Sequence, residues 1–341
     1  MNVLLLTSHS IAEYDDLRML TDLGYDVFSI GAYTDPLYPT DDKRPAFPQF
    51  GGPYAHNDFA DLCDEVRRDM GDPGPRIDWA KAHIHDDILD WADAIIVHHF
   101  PEWWIVAQWD RLIGKRVIWR TCGQSSPDGS LERLMAPLRG EGLEIVRYSP
   151  RERFITDYAG EDALIRFGKY PSDYGPWEGD NAVVGNVTQN MAQRGESCGY
   201  STWMRLTQGL PTMPAGPGSQ ALRGGIGGLT YDSMLRYLRS LRGYLYTGTH
   251  PASYTLGLME AMLSGVPVVA PRWDVPAPLS KMYEAPDITP RKPTTDAIPE
   301  YFRALFDDRE MARRHGEEGR QRAIELFDVA NVGPQWKAFL G

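Results

Sequence analysis

Residues 244–271 read YLYTGTHPASYTLGLMEAMLSGVPVVAP, and this stretch decides the fold. Tyr244, Leu245, Tyr246 and Thr247 make a compact run suited to a buried strand, which His250-Pro251-Ala252-Ser253 interrupts with loop and capping residues. Residues 254–264 then follow a helical pattern, and Gly265 suits the C-terminal cap. Val266-Pro267-Val268-Val269-Ala270 starts the next strand.

A helix starting near Ser253 leaves the N–H groups of Tyr254, Thr255 and Leu256 without intrahelical acceptors, at the positive end of the helix dipole. A diphosphate fits there. Leu256, Glu260 and Leu263 fall at i, i+4 and i+7, so one carboxylate shares a face with apolar neighbours that pack against the domain. Such a charge is costly unless something binds it. Two readings satisfy it: the two ribose hydroxyls of a nucleotide donate to the carboxylate, or the carboxylate sits at the helix edge and meets water or a nearby Arg.

The stretch resembles the donor-binding segment of GT-B glycosyltransferases, in particular the large, mostly retaining family with a Glu, an aromatic residue, a Gly and, eight residues after the first Glu, a second Glu followed by Ala. Tyr254 matches the aromatic position, Glu260-Ala261-Met262 the second Glu and its sequel, and residues 265–269 the Gly-x-Pro-Val that follows. Ala252 stands where the first Glu belongs, and Thr255 replaces the usual Gly. The resemblance implies that Glu260 holds the ribose, while Ala252 cannot contact the sugar as the first Glu does. It further implies an α/β fold of GT-B architecture, with two Rossmann-like parallel-sheet domains facing across a cleft. The donor implied is a nucleotide-diphosphate sugar, a UDP-sugar by preference, with no cofactor.

The chain has 341 residues, long enough for two domains with separate cores, and 42% hydrophobic residues suit a globular protein. A formal charge of −12 disfavours broad adhesion to nucleic acid or anionic lipid. Cys63, Cys122 and Cys198 are far apart, which indicates neither a disulfide framework nor a zinc site. The apolar start Val3-Leu4-Leu5-Leu6 is too short for a signal peptide, and no apolar run reaches membrane-spanning length, so a cytoplasmic protein is expected.

Short apolar runs alternate with helical patterns in the first half: a strand at 3–7, a helix at 12–23 and a strand at 27–32 open a βαβ unit. A Pro- and Asp-rich loop covers 33–54, helices follow near 58–70 and 79–91, and strands at 94–98, 116–120, 144–148 and 163–167 complete a parallel sheet covered on both faces. The expected organisation is a first domain at 1–170, a turn-rich linker at 171–181, a nucleotide-sugar-binding domain at 182–325 and a segment at 326–341 that, by the GT-B resemblance, crosses back to the first domain. The tail from 296 to 339 is expected to be helical with a break at 328–334.

In the second domain, Val183-Val184-Gly185-Asn186-Val187 followed by Arg194-Gly195 resembles the opening of the GT-B donor domain, where two basic groups neutralise the diphosphate. Arg194 supplies the second, unless it is a loop Arg in solvent; Asn186 occupies the position of the first and brings no charge. Gly216 and the Gly228-Leu229-Thr230 segment lie in loops that the resemblance places beside the base; as Gly loops alone they signal tight turns. Arg236, Arg239 and Arg242 recur every three residues, opposite Tyr231, Leu235, Leu238 and Leu241 on one helix. They form a solvated face or a basic rim for an acidic acceptor.

The sequence contains no Asp-x-Asp, the motif through which the other common glycosyltransferase architecture holds a divalent ion. Asp15-Asp16, Asp41-Asp42 and Asp86-Asp87 are adjacent pairs that point apart and suit solvated faces; His83 and His85 are poorly placed to share a metal. Metal independence is expected. In the first domain, Thr7-Ser8-His9-Ser10 follows strand one, where polar groups face a ligand, with Glu13 and Asp15 in the next helix turn. If the reaction inverts configuration, His9, Glu13 or Asp15 is the candidate base; if it retains, the departing phosphate oxygen takes the acceptor proton. By resemblance to retaining GT-B enzymes, His99 is the candidate contact to the donor sugar.

The expected activity is sugar transfer to an acceptor hydroxyl on a glycan, a lipid-linked sugar or a hydroxymethylated base of phage-type DNA. The alternatives are a GT-B nucleotide-sugar 2-epimerase and a non-catalytic sugar-nucleotide-binding protein. A DNA acceptor wants a basic cleft, and Lys115, Arg116, Arg120, Arg147, Arg151 and Arg153 are scattered in sequence.

Overall fold

A computed structural model describes residues 1–7, 10–29, 84, 86–98, 100–123 and 128–341. His9, His99, the expected loop at 33–54 and the expected helix at 58–70 lie outside these residues. The chain divides into two compact units, Met1–Gly168 with Val332–Gly341, and Lys169–Asn331.

The first unit is built on a parallel sheet of six described strands, β1 (Asn2–Leu6), β2 (Asp26–Ser29), β3 (Ala94–Val97), β4 (Arg116–Arg120), β5 (Glu144–Arg147) and β6 (Ala163–Leu164), in the order β2-β1-β3-β4-β5-β6. Val3 lies opposite both Val27 and Ala94, and Val97 opposite Trp119. These apolar runs are buried on both faces, as parallel strands require. Helices α1 (Ser10–Asp22) and α2 (Ser130–Gly140) accompany the sheet. The strand expected at 163–167 pairs only over Ala163–Leu164.

The second unit holds four parallel strands, β7 (Asn181–Val187), β8 (Thr212–Ala215), β9 (Leu241–Leu245) and β10 (Val268–Val269), in the order β10-β9-β7-β8. Its longer helices are α3 (Tyr200–Leu206), α4 (Tyr231–Ser240), α5 (Leu256–Leu263), α6 (Ile298–Asp307) and α7 (Arg309–Phe327). Trp203 and Leu206 of α3 join Ile298, Phe302 and Leu305 of α6 in its core. The chain runs outward from β7 to β8, then returns to the other side of β7 to add β9 and β10. This reversal between β7 and β9 makes their connections diverge, and ligands of open α/β sheets bind in the crevice that results.

Three sequence expectations change here. Leu241 begins β9 instead of completing the apolar side of α4, because α4 ends at Ser240 and β9 pairs with β7 from Leu241 onward. The tail breaks at Asp308 and Asp328, and the last helix, α8 (Val329–Leu340), runs straight through Pro334. Asp308 caps α7 by accepting from Met311 N–H at 2.8 Å, and Asp328 caps α8 by accepting from Ala330 N–H at 2.9 Å. Arg239 and Arg242 do not form a solvated face: Arg239 meets Glu178 at 3.1 Å, and Arg242 donates to Gly179 O at 2.8 Å and to Phe306 O. They tether the stretch before β7 to the sheet.

Candidate functional site

Asn186, one residue from the end of β7, donates its amide to Leu245 O at 2.7 Å and so ties β7 to the last residue of β9. Tyr237 Oη accepts from Asn186 N–H at 3.2 Å, and Tyr244 Oη accepts from Val187 N–H at 2.9 Å, closing the backbone at the point where the strands diverge. Burial pushes the Tyr237 and Tyr244 hydroxyls well above their ordinary titration range, so both remain protonated.

The helix of residues 254–264 begins later than its pattern suggests. Tyr246, past the end of β9, reaches across the loop: its hydroxyl accepts from Thr255 N–H at 2.8 Å and donates to Thr255 Oγ1 at 3.1 Å. Ser253 O accepts from Glu284 N–H at 2.9 Å and Ala285 N–H at 3.3 Å. These bonds hold residues 253–255 extended, so α5 starts at Leu256 with Thr255 at its N-cap. Ser253 and Tyr254 are buried, and the Tyr254 ring packs on Phe327 at 5.5 Å. The first-turn donors are therefore Leu256, Gly257 and Leu258, of which Leu258 N–H bonds to Thr255 O at 3.1 Å. A Cβ on Gly257 would stand 3.9 Å from Val187 O, which sets this first turn against the end of β7.

Glu260, one turn further into α5, is 3% exposed. Its Oε1 lies 3.0 Å from the ammonium of Lys169, itself 1% exposed. Lys169 is held by its backbone: its N–H donates to Phe327 O at 2.7 Å, and its carbonyl accepts from Val329 N–H at 3.0 Å. The cationic partner of Glu260 is thus a lysine ahead of the whole second sheet, which no local pattern marks.

Arg194 is exposed on the connection after β7, with its guanidinium 3.4 Å from Gln189 O. Gly216 is buried at φ +109°, and a Cβ there would meet Thr188 O at 2.8 Å, so only glycine fits where the connections after β7 and β8 touch. Gly228 is exposed, and Thr230 is the N-cap of α4, accepting from Ser233 N–H at 3.3 Å.

A cleft of about 580 Å³ opens at the carboxyl edge of this sheet, between Glu196, Ser197, Ser201 and Arg205 on one wall and His250, Trp273 and Asp274 on the other. His250 stacks on Trp273 at 3.5 Å, and Trp273 on Tyr283 at 3.6 Å. His250 N–H donates to Ser197 O at 2.7 Å and Trp273 Nε1 to Thr247 O at 3.1 Å, which anchors this column to the connections after β7 and β9. Desolvation lowers the His250 pKa against the opposing pull of Glu196, which favours a neutral ring. The aromatic content of the loops gave no warning of this stack, since its members are spread from residue 250 to 283.

In the first unit, Glu13 is buried and accepts a hydrogen bond from Ser29 Oγ, and Asp15 is half-buried. Asp16 is not on a solvated face: it is buried, with Oδ2 3.1 Å from His98 Nε2 just past β3. The helix phase turns Asp16 toward the sheet while Asp15 points away. Among the described residues, no group of three or more His, Cys, Asp and Glu side chains is arranged to hold a metal.

No protein-family model matches the sequence, and no curated protein matches it. Solved structures do match along the whole chain. Sucrose-phosphate synthase from Thermosynechococcus elongatus superimposes with a TM-score of 0.66 at 13% identity, over 100% of this chain and 98% of that one. Anabaena HepE in complex with UDP-glucose gives 0.66 at 13%, over 100% and 99%. A glycosyltransferase from Rickettsia africae gives 0.60 at 10%, over 99% and 97%. The fold is GT-B. Among the described residues no helix is long and apolar enough to cross a membrane.

Proposed function

We propose that the protein is a metal-independent, retaining glycosyltransferase that moves a hexose or related sugar from a nucleotide-diphosphate sugar, a UDP-sugar by preference, to an acceptor hydroxyl. The observation that carries this reading is the site at the sheet reversal of the second unit, where the first turn of α5 faces the end of β7 and an aromatic-walled cleft opens at the same sheet edge. The solved HepE complex holding UDP-glucose in the same fold supports it.

In this reading the diphosphate lies against the Leu256 and Gly257 end of α5, with Arg194 supplying counter-charge, and Glu260 accepts from the ribose. Gly216, Gly228 and Thr230 border the base, and Asn186, Ser253, Tyr254 and Thr255 shape the floor. Ala252 offers no carboxylate to the sugar, so the sugar is assigned to the cleft beside the His250–Trp273 stack. The bond from the anomeric carbon to the phosphate oxygen breaks as the acceptor oxygen bonds on the same face, and the acceptor proton passes to that phosphate oxygen. Arg194 and the helix end stabilise the departing charge.

The acceptor is placed among glycans and lipid-linked sugars. Three of the six basic residues that a DNA groove would use are spent on the first unit's own packing: Arg147 is buried against Glu132, Arg116 binds Glu144 and the carbonyls of Phe339 and Leu340, and Arg120 lies buried against the rings of Phe167 and Trp336. Incubation with a panel of nucleotide sugars, following free nucleotide, sugar isomer and mass-shifted acceptor, tests the reading. Nucleotide release with transfer is expected and should survive a chelator; isomer without transfer identifies an epimerase, and binding without turnover a non-catalytic protein.

A further inference from the structure

We infer that Lys169 is the positioning residue for the ribose-binding carboxylate, setting through its ammonium the orientation in which Glu260 meets the nucleotide. This rests on the proposed ribose role of Glu260. Both side chains are almost fully buried and 3.0 Å apart, and an isolated carboxylate at this depth would lose more solvation than its helix can return. The Lys169 main chain from which this side chain springs is fixed, because it is bonded on both sides to the segment joining α7 and α8, at Phe327 and Val329.

An ammonium is a point donor and engages Oε1, whereas a planar guanidinium forks across both oxygens of a carboxylate. Lysine at this position therefore engages Oε1 of Glu260 through a point donor, and a carboxylate, with about four lone-pair sites, can accept from a ribose hydroxyl besides. A donor-binding carboxylate buried with no cation would instead be driven to protonate, and a carboxylic acid is a weak acceptor for a hydroxyl.

The test is the ratio of dissociation constants for 2′-deoxy-UDP and UDP, measured by calorimetry on the full chain, with thermal melting to establish that each variant is folded. The wild-type protein is expected to prefer UDP by about tenfold to a hundredfold, the worth of one hydrogen bond to a charged group. Lys169→Met should bring the ratio close to one. Lys169→Arg keeps the charge and, once melting shows it folded, should also lower the ratio several-fold, because the fork occupies the carboxylate. A folded variant of either kind with the wild-type ratio overturns the positioning role while leaving the ribose assignment intact. A wild-type ratio of one, or no binding of UDP, removes the ribose assignment and this inference with it. A purely structural ion pair would lower the melting temperature without moving the ratio.

Discussion

Among the described residues a buried Glu meets a buried cation in each unit, and the two pairs are built differently. In the first, Arg147 grips Glu132 with two parallel bonds of 2.8 and 2.7 Å, while Ala159 N–H donates to the same carboxylate at 2.8 Å and Arg147 Nε donates to Gly160 O at 3.0 Å. The guanidinium also lies 5.0 Å from the Trp119 ring and 4.6 Å from that of Tyr158. In the second, Lys169 meets Glu260 through one ammonium and one carboxylate oxygen. A forked pair woven into loops and rings joins pieces of structure; an ammonium engages a carboxylate through a single point.

Breaking the first pair should have the largest effect. Arg147→Met leaves the Glu132 charge buried without its cation, and denaturant unfolding is expected to show a loss of about 3–5 kcal/mol. UDP affinity of the protein that remains folded should not change, and a fall there would make this pair part of the site. On the other side of the comparison, Glu260→Ala should weaken UDP binding by about 1.5–3 kcal/mol. Unchanged affinity by calorimetry would falsify the ribose assignment and make the two pairs equivalent after all.

Thr230 tests whether the neighbouring loop is structural like the first pair or functional like the second. As the N-cap of α4, its replacement by Ala should cost about 1 kcal/mol of stability. A loss of UDP affinity as well would place it beside the base, as the GT-B resemblance suggested. The smallest effect concerns His250. Burial lowers its folded pKa below the ordinary value, so the unfolded chain binds the proton more readily, and stability should decline as pH falls through about 6.5. His250 is half-buried, which keeps the slope shallow. Melting temperatures between pH 7.5 and 5.5 should be flatter for His250→Gln than for the wild type; equal slopes would mean that the stack against Trp273 does not desolvate the ring.

Much of the fold was legible because its signals are local. The run Arg116–Arg120 forms the strand expected of it, and Tyr231 opens the helix on which the pattern placed it. At the start of α5 the pattern erred by two residues, because residues 254 and 255 suit a helix on their own and are held extended by Tyr246 and the turn at Glu284. Asp16 went astray for a similar reason: one of two adjacent Asp residues suits a solvated face, and only the tertiary placement of His98 gives it a buried partner. His250, Trp273 and Lys169 carried no signal, as each acquires its role from residues distant in sequence.

The sequence alone determined the alternation of strands and helices, the absence of a first Glu at Ala252 and the place of Glu260 within its helix, all of which follow from periodicity and residue type over a few turns. Tertiary structure decided which N–H groups remain at the start of α5, which aromatic rings wall the cleft, and that the partner of Glu260 is a lysine 91 residues away. Periodicity reports which face a side chain occupies; what meets it on that face is set by how the strands are ordered in the sheet.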